Sequence, residues 1–442
     1  MQNNNIFNSS LLNKFTIIFI VFVSFLKATE DKSITELSIS GLLNNQYQYW
    51  NIKHHNNDIL SSGILSDFKF KYRNFKIINQ MFLSTDSNST KKGGGKKIKE
   101  FFGYTNQGYL EYQKDIGLLQ NKWVYGRYYL KNGFSKLGDL LVSKDSRPFD
   151  GFYWNIKYKN IEGSFNAIQL EEINNYKRYL TIHSLKLKLN NRFTFLFRES
   201  SLYASDKGGF NWQLLNPVIF WVPERENYPI VQANGLLYLG LEFIFRPGLS
   251  FYSELLIDDW QINKKTKGDL EPNEYGFVFG LDIEDWLFQG FNFWAEYTKI
   301  TNRTYQSYYF EEVYTHRNFP IGHYLGNDFD LIQINISKKL PRHSTKPYLS
   351  IALHRDGFNG MDTPFDEPWL ADEVTMEEGY SEHFPTRPYV IKIESELAID
   401  HNFKNGSMIN LGLRHKNNGS SNKTTLEIVA RVKVQIGTSI LY

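Results

Sequence analysis

Apolar and polar residues alternate along many short segments of the chain, most regularly over residues 426–442. The side chains of a β-strand repeat every two residues, so a strand places the two sets on opposite faces. A strand of this length, with a continuous apolar face and an aromatic last residue, is typical of the closing strand of an outer-membrane β-barrel. The apolar positions are Leu426, Ile428, Ala430, Val432, Val434, Ile436, Ile440 and Tyr442, and the polar positions are Glu427, Arg431, Lys433, Gln435 and Ser439.

The same alternation recurs earlier in the chain and is interrupted by residues that favour tight turns. Alternating segments occupy residues 67–73, 183–189, 277–283, 291–297 and 389–400. The turns contain residues that tolerate positive φ angles, at Asn190-Asn191, Gln289-Gly290, Asn405-Gly406 and Asn417-Asn418-Gly419. At roughly 23 residues per strand with its share of turn and loop, the chain makes about 18 antiparallel strands, with roughly 16 and 20 as the limits. A secreted propeller is the alternative all-β fold, but it should show a repeat of about 40–50 residues, and we find none.

The N-terminal end predicts export. Lys14 precedes an apolar run over residues 15–26, followed by Lys27 and Ala28. Twelve apolar-rich residues are too few to cross a bilayer as a helix, so residues 1–28 are predicted to be a signal peptide, with a retained anchor as the alternative. Residues 29–442 then form the barrel, in which 29–121 are N-terminal strands with room for a small periplasmic segment. No later segment has about 18 consecutive apolar residues, as a transmembrane helix would require.

The amino-acid composition narrows the class of protein further. Aromatic residues make up 16% of the chain, and outer-membrane barrels use such residues in girdles at the two membrane interfaces. The chain has no cysteine, which excludes thiolate metal sites and disulfides. A net charge of +3 gives no basic footprint for nucleic acid. We therefore expect an all-β transmembrane barrel in the bacterial outer membrane, with some extracellular loops folded inward.

Three long, irregular stretches are the predicted extracellular loops, at residues 201–234, 301–330 and 356–382, the last of them acidic. Sugar binding requires flat aromatic faces together with carboxylates and amides for hydroxyl groups. Trp212 and Trp221 flank Asn216, and a group of tyrosines precedes Asp328. Each of these rings has an alternative role in the interfacial girdle or in loop packing.

Two pairs of carboxylates have contrasting spacing. Asp258 and Asp259 are adjacent at the end of a predicted strand and should therefore face apart. Asp328 and Asp330 are two residues apart and should share a face, where they would bind a cation or a sugar or pair with lumen arginines.

Several short motifs, taken in order, give a family resemblance. The motifs are His183, Glu199 with Asn216-Pro217, then Asp258-Asp259-Trp260-Gln261, then Gly326-Asn327-Asp328-Phe329-Asp330. In order and approximate spacing the chain resembles the capsule assembly Wzi family of outer-membrane proteins, from about residue 122 to the C-terminus. The resemblance implies a barrel of about 18 strands that acts as a lectin, holding exported polysaccharide at the cell surface without polymerising or cutting it. Better known members carry a small periplasmic helical bundle, whereas residues 29–121 of this chain are predicted to be mostly strands.

Enzyme chemistry is not predicted, since His183 and Ser184 face apart in a strand and the histidines lack metal-ligand spacing. A carboxylate pair for glycoside cleavage stays open, because its separation is spatial. We expect no cofactor and no metal. The predicted partners are outer-membrane lipid and lipopolysaccharide, surface polysaccharide, and the barrel-assembly machinery through the strand ending at Tyr442. The chain is expected to be a monomer that does not bind nucleic acid.

The predicted function is therefore polysaccharide binding in capsule or exopolysaccharide assembly, and a general or sugar-selective porin is the alternative. The predicted polysaccharide-binding residues are Glu199, Trp212, Asn216, Trp221, Asp258, Asp259, Tyr308, Tyr309, Tyr324, Asn327, Asp328 and Asp330.

Overall fold

The computed structural model describes residues 34–50, 59–84, 97–98, 101–130, 133–227, 232–262, 264–285, 288–340, 344–404, 406–419 and 423–440. These residues form nineteen β-strands, one short α-helix and three short 3-10 helices. No helix in these ranges is long and apolar enough to cross a membrane. The predicted signal peptide, the terminal Tyr442 and most of the basic stretch 91–99 lie outside the described residues.

The strands are β1 Ile34–Trp50, β2 Ile59–Tyr72, β3 Phe75–Ser84, β4 Lys97–Ile98, β5 Phe101–Ile116, β6 Leu119–Tyr128, β7 Phe149–Tyr158, β8 Ile161–Gln169, β9 Lys177–Lys188, β10 Phe193–Ser205, β11 Asn234–Arg246, β12 Leu249–Asp259, β13 Glu274–Ile283, β14 Phe291–Ile300, β15 Phe329–Lys338, β16 Thr345–Asp356, β17 Val390–Asn402, β18 Met408–Asn418 and β19 Lys423–Ile440. Helix α1 is Trp221–Asn227, and the 3-10 helices are Lys267–Leu270, Phe310–Glu312 and Pro368–Leu370.

All nineteen strands belong to one antiparallel sheet. Each long strand pairs with the next along the chain, and the two-residue β4 lies beside β5, which itself pairs with β3. The first strand, β1, pairs with β2 on one side and with β19 on the other, so the order of pairing runs in a ring. Eighteen long strands agree with the predicted number, and the predicted fold class is confirmed.

The two ends of the barrel differ in the length of their connections. At one end only two residues separate β2 from β3, β5 from β6, β7 from β8 and β11 from β12. At the other end β6–β7, β10–β11, β14–β15 and β16–β17 are joined by the longest loops. Outer-membrane barrels place short turns in the periplasm and long loops outside the cell. The predicted turns at Asn190-Asn191 and Gln289-Gly290 fall at the periplasmic end.

In the strands whose side chains the structure describes, alternate residues face the lumen and the outer wall. In β19, Leu426 and Ile428 are exposed, whereas Glu427 between them is fully buried and lies 3.2 Å from Lys416 Nζ on β18. Apolar side chains therefore face outward towards lipid and polar ones face inward, as a transmembrane barrel requires. Within its described residues, the C-terminal strand agrees with the sequence prediction.

Two separate apolar cores result. The larger lies inside the lumen and contains Leu140, Leu141, Leu236, Ile300 and Phe329. The smaller contains Phe165, Tyr179, Tyr203, Leu214 and Trp221 and lies against the outer wall. The long loops therefore pack both into the lumen and against the outer wall.

Candidate functional site

The loop between β6 and β7 crosses the lumen and is held by two buried glutamates. We call its residues 133–148 the plug loop. Glu254 of β12 accepts hydrogen bonds from the backbone N–H groups of Phe134 at 2.7 Å, Ser135 at 2.8 Å and Leu140 at 3.1 Å. A buried carboxylate is stable only where such donors surround it. Glu254 therefore fixes the plug loop to the opposite wall.

Glu296 of β14 repeats this arrangement one hairpin further on. It accepts hydrogen bonds from the Ser135 hydroxyl and the Lys136 N–H, each at 2.8 Å, and from the Tyr252 hydroxyl at 2.7 Å. Lys136 also forms an ion pair with Asp282 of β13. Three neighbouring strands, β12 to β14, thus bond to the plug loop or to the groups that hold it.

A buried ion pair completes the attachment. Arg198 Nη2 of β10 lies 2.7 Å and 2.8 Å from the two carboxylate oxygens of Asp139, and its guanidinium lies 3.7 Å above the ring of Tyr238. Both side chains of the pair are buried. Gly138, next to Asp139, leaves room for the ring of His323, since a Cβ atom there would lie 2.7 Å from that ring.

The loop between β14 and β15 covers the plug loop from the extracellular end. We call residues 301–328 the cap loop. Arg178 of β9 is buried and donates to the carbonyl oxygens of Val313 at 2.7 Å and Thr315 at 3.1 Å. The Tyr305 hydroxyl donates to the Leu140 carbonyl at 2.5 Å, so cap and plug are bonded to each other.

The far end of the cap loop reaches the β8–β9 connection. His316 Nδ1 lies 2.5 Å from Glu171, and the Arg317 N–H donates to the same carboxylate at 2.6 Å. Burial alone would raise the pKa of Glu171, but the hydrogen bond from His316 and the charges of His316 and Arg178 lower it overall. The cap loop is therefore held at both sides of the mouth.

A third layer is the distal loop, residues 357–389 between β16 and β17. Arg303 of the cap loop donates to Asp366 at 2.5 Å and also pairs with Glu382, while its guanidinium lies 5.2 Å from the Trp369 ring. Plug, cap and distal loops are thus stacked over the barrel.

A different section of the lumen wall carries a polar network instead of a loop. Glu396 of β17 pairs with Arg414 at 2.5 Å and with Arg431 at 3.3 Å, and accepts from the Tyr348 hydroxyl at 2.5 Å. The next inward position on β17, Glu394, is exposed. This wall, formed by β16 to β19, is lined by charged and polar side chains.

The predicted residues of the β10–β11 region lie on the outer wall, not in the lumen. Glu199 is fully buried and accepts the backbone N–H of Trp221 at 2.9 Å, while Asn216 accepts the indole N–H of Trp221 through its carbonyl. Trp221 is itself buried against His183, whereas Trp212 is largely exposed. The structure brings Glu199, Asn216 and Trp221 together, but their contacts hold the loop to the barrel.

The adjacent aspartates lie at a register shift between Ile257 and Asp259 in the pairing of β12 with β13, so the alternation from which opposite faces were predicted does not hold there. Asp258 accepts the backbone N–H of Tyr305 at 2.6 Å, whereas Asp259 accepts from the Gln261 side chain at 3.1 Å. Near Asp259, burial and the charge of Asp259 raise the pKa of Glu271 to about 7. The two aspartates therefore have different hydrogen-bond partners.

Asp328 and Asp330, which were predicted to share a face, have different partners. Asp328 precedes β15 with a φ of 56°, so the alternation of the strand does not extend to it. It accepts the N–H groups of Thr386 at 3.0 Å and Asn359 at 3.3 Å, and burial raises its pKa. Asp330 lies on the outward face and pairs with Arg355 at 2.5 Å, so its arginine is not in the lumen.

The remaining predicted residues belong to the cap loop. Tyr308 and Tyr309 are exposed, with ring centroids 5.1 Å apart. Tyr324 is half-buried, and its ring is stacked on His323 at 4.6 Å. Asn327 is buried, and neither atom of its amide has a hydrogen-bond partner among the described residues. Within the same part of the chain, no group of three or more His, Cys, Asp and Glu side chains is placed to hold a metal ion.

Sequence reasoning missed the residues that hold the loops, namely Asp139, Arg178, Arg198, Glu254, Glu296 and Arg303. Glu254 and Arg198 do carry a signal, because each is a charged residue among largely apolar strand neighbours. Their partners are 114 and 59 residues away, so no local spacing could identify them.

No family model and no curated protein matches the sequence. Among solved structures, the chain is similar to Wzi of Escherichia coli, an outer-membrane protein involved in group 1 capsule assembly and a carbohydrate-binding β-barrel. The TM-score is 0.60 at 12% identity, over 89% of this chain and 84% of Wzi. It is also similar to two Pseudomonas aeruginosa proteins, OccD3, with a TM-score of 0.53 at 11% identity over 92% and 93% of the two chains, and OprD, with 0.53 at 10% over 93% and 96%. At these identities the likeness shows the fold, that of a bacterial outer-membrane β-barrel, and with it an outer-membrane location.

Proposed function

We propose that this protein is a Wzi-type outer-membrane barrel that binds polysaccharide at the cell surface and assists capsule or exopolysaccharide attachment without cleaving it. The observation that carries the proposal is the stack of loops over the barrel. Plug and cap loops occupy the lumen beside β10 to β14 through buried charges and hydrogen bonds. A mouth built in this way presents a fixed surface to the outside.

Exposed aromatic side chains on the cap loop offer a surface for sugar rings. Tyr308, Tyr309 and Phe310 are 67%, 48% and 52% exposed, and Asn174 donates to the neighbouring Glu311 at 2.8 Å. Aromatic faces take the apolar side of a sugar, and amides and carboxylates take its hydroxyl groups. Tyr308 and Tyr309 are therefore the predicted residues that we retain as ligand contacts. The likeness to carbohydrate-binding Wzi supports the same proposal.

Binding of refolded protein to a panel of purified capsular and exopolysaccharides tests it. We expect Tyr308→Ala with Tyr309→Ala to weaken binding on the order of tenfold, equivalent to about 1.4 kcal/mol. Tyr125→Ala is the matched control, because Tyr125 is equally exposed but lies on β6, away from the cap loop. Equal binding by both variants, or unchanged surface polysaccharide in cells lacking the protein, would count against the proposal.

The second candidate is a porin, favoured by the charged wall of β16 to β19. Arrays of charged groups along a lumen select solutes in channels. The likeness to OccD3 and OprD supports this candidate at the level of the fold, just as the likeness to Wzi supports the first candidate. Stable conductance in planar bilayers, without any polysaccharide binding, would support the porin instead.

We further propose that the protein is a monomer surrounded by outer-membrane lipid and lipopolysaccharide, and that the barrel-assembly machinery inserts it through β19. Size measurement in detergent and cross-linking from β19 test these two points.

A further inference from the structure

A buried pair of a histidine and a glutamate lies on the lipid-facing side of the barrel wall. Glu199 alternates in register with Phe195 and Phe197, whose side chains face outward, and it pairs across the sheet with His183. His183 Nε2 lies 2.8 Å from Glu199 Oε2, and both residues are buried. A carboxylate facing hydrocarbon without cover is costly. Something must therefore separate this pair from lipid.

The β10–β11 connection provides that cover. We call residues 206–224 the outer-wall loop. It begins at the rim, where the Gly209 N–H donates to the Tyr179 hydroxyl at 2.7 Å and Phe210 packs on the Tyr179 ring. It then descends the outer wall, where Trp221 stacks on His183 at 4.2 Å. Tyr179 and His183 are four residues apart on β9, a descent of about 13 Å at roughly 3.3 Å per residue.

The lower end of this loop joins the apolar band of the wall. Phe220 packs edge-on against Phe197 at 5.6 Å. Phe197 pairs in the sheet with Leu185 and Leu239, both of them exposed on the outer face. The surface of the loop is therefore continuous with the lipid-facing surface of the strands.

The side of the loop that faces away from the barrel is apolar and exposed. Trp212, Val218 and Phe220 are 85%, 83% and 58% exposed. The sixteen residues 208–223 contain no Asp, Glu, Lys, Arg or His. Isolated exposed apolar residues are ordinary, but an uncharged stretch that extends an existing lipid-facing band marks a membrane contact.

We propose that the outer-wall loop is a lipid-docking element. Trp221 and the start of α1 shield the Glu199–His183 pair, while Trp212, Val218 and Phe220 insert among the acyl chains and headgroups of the outer leaflet. The loop thereby enlarges the hydrophobic belt on the β7 to β10 side of the barrel. This inference depends on the fold alone and is independent of polysaccharide binding.

A single fluorescent label tests the proposal, because the chain has no cysteine. Val218→Cys carries an environment-sensitive fluorophore in the full-length protein, reconstituted into phosphatidylcholine vesicles with or without brominated acyl chains. Asp372→Cys, at an exposed position of the distal loop, is the matched control. We expect brominated lipid to quench the label at position 218 several-fold more than at 372, and aqueous iodide to show the reverse order. Equal iodide access at both positions, without quenching by brominated lipid, would overturn the proposal.

A second variant separates docking from simple proximity. Trp221→Ala in the Val218→Cys protein removes the stacking on His183 and should release the loop, lowering quenching by lipid and raising quenching by iodide. The heat-dependent shift in gel mobility checks that the barrel stays folded. If this variant does not fold, the comparison of positions 218 and 372 in the otherwise unchanged chain still decides.

Discussion

Charged side chains in this barrel are buried on both sides of the wall, and several of them are bonded to loops. Arg198 and Glu199 are neighbours in β10 that point to opposite faces, one to Asp139 in the lumen and the other to the backbone of Trp221 outside. Alternation does not give the directions of Asp258 and Asp259, because the pairing of β12 shifts register there, nor that of Asp328, which precedes β15 with a positive φ. Partners such as Asp139 could not be predicted, since only the closed fold brings them to Arg198.

The buried ion pair gives the first stability prediction. Asp139→Ala leaves the Arg198 guanidinium buried without its partner, and we expect a loss of about 3–5 kcal/mol in the free energy of unfolding. Lys392→Ala is the control, because Lys392 and Asp356 form a pair that is more than one-third exposed at both ends, so its loss should cost under about 1 kcal/mol. Denaturant unfolding in detergent measures both. Similar losses in the two variants would contradict the assignment.

Glu271 gives a prediction on pH dependence. Its pKa is raised from 4.5 to about 7 by burial and by the charge of Asp259, so the folded state holds this proton more tightly than the unfolded state. Stability from this group is therefore present at low pH and is lost as the pH rises towards 7. We expect Glu271→Gln to raise the unfolding midpoint at pH 8 relative to the unchanged chain and to have little effect near pH 4. Asp372→Asn, at an exposed position, should have no effect at either pH.

The long loops show what an element's sequence can and cannot indicate. Residues 201–234, 301–330 and 356–382 were predicted to be extracellular loops, and they include much of the outer-wall, cap and distal loops. Their composition does not give their direction. The outer-wall loop is rich in apolar residues because it faces lipid, whereas the plug loop has similar residues, such as Leu140 and Leu141, because it fills the lumen. The groups that decide the direction of each loop are Glu199 on the outer face and Glu254 on the lumen face, which lie 22 and 114 residues from the loop residues that they bond.

The plug loop gives a prediction for an element. Glu254→Gln turns one acceptor oxygen into a donor that faces either the Phe134 and Ser135 N–H groups or the Leu140 N–H group, so the attachment of the plug loop should weaken. We expect faster proteolysis within residues 133–148, with the barrel strands still protected. Glu394→Gln, at an exposed inward position of β17, is the control. Proteolysis at the same rate in both variants would show that Glu254 does not hold the loop.

At the scale of the whole molecule, the barrel and its filling are separable. The ring of strands is joined by backbone pairing that involves no residue of the plug loop. The strand number and the location could be predicted from period-two alternation and turn residues, since both are local. The occupation of the lumen could not, because it depends on contacts between segments more than 100 residues apart.

Removing the plug should therefore open the barrel without unfolding it. Replacing residues 133–143 by a short Gly-Ser linker is expected to raise conductance in planar bilayers several-fold over the unchanged chain. The heat-dependent gel shift should persist. Replacement of an equal length of the distal loop, residues 370–380, is the control, and equal conductance in the two variants would mean that the plug loop does not limit passage.

The pairing of β1 with β19 joins residues 37–50 to residues 427–440. Each of these two strands therefore lacks a permanent neighbour on one side until they meet, and their unpaired amides cannot be left in hydrocarbon meanwhile. Closure must then be nearly all-or-none, and a chain truncated within β19 would not complete the barrel.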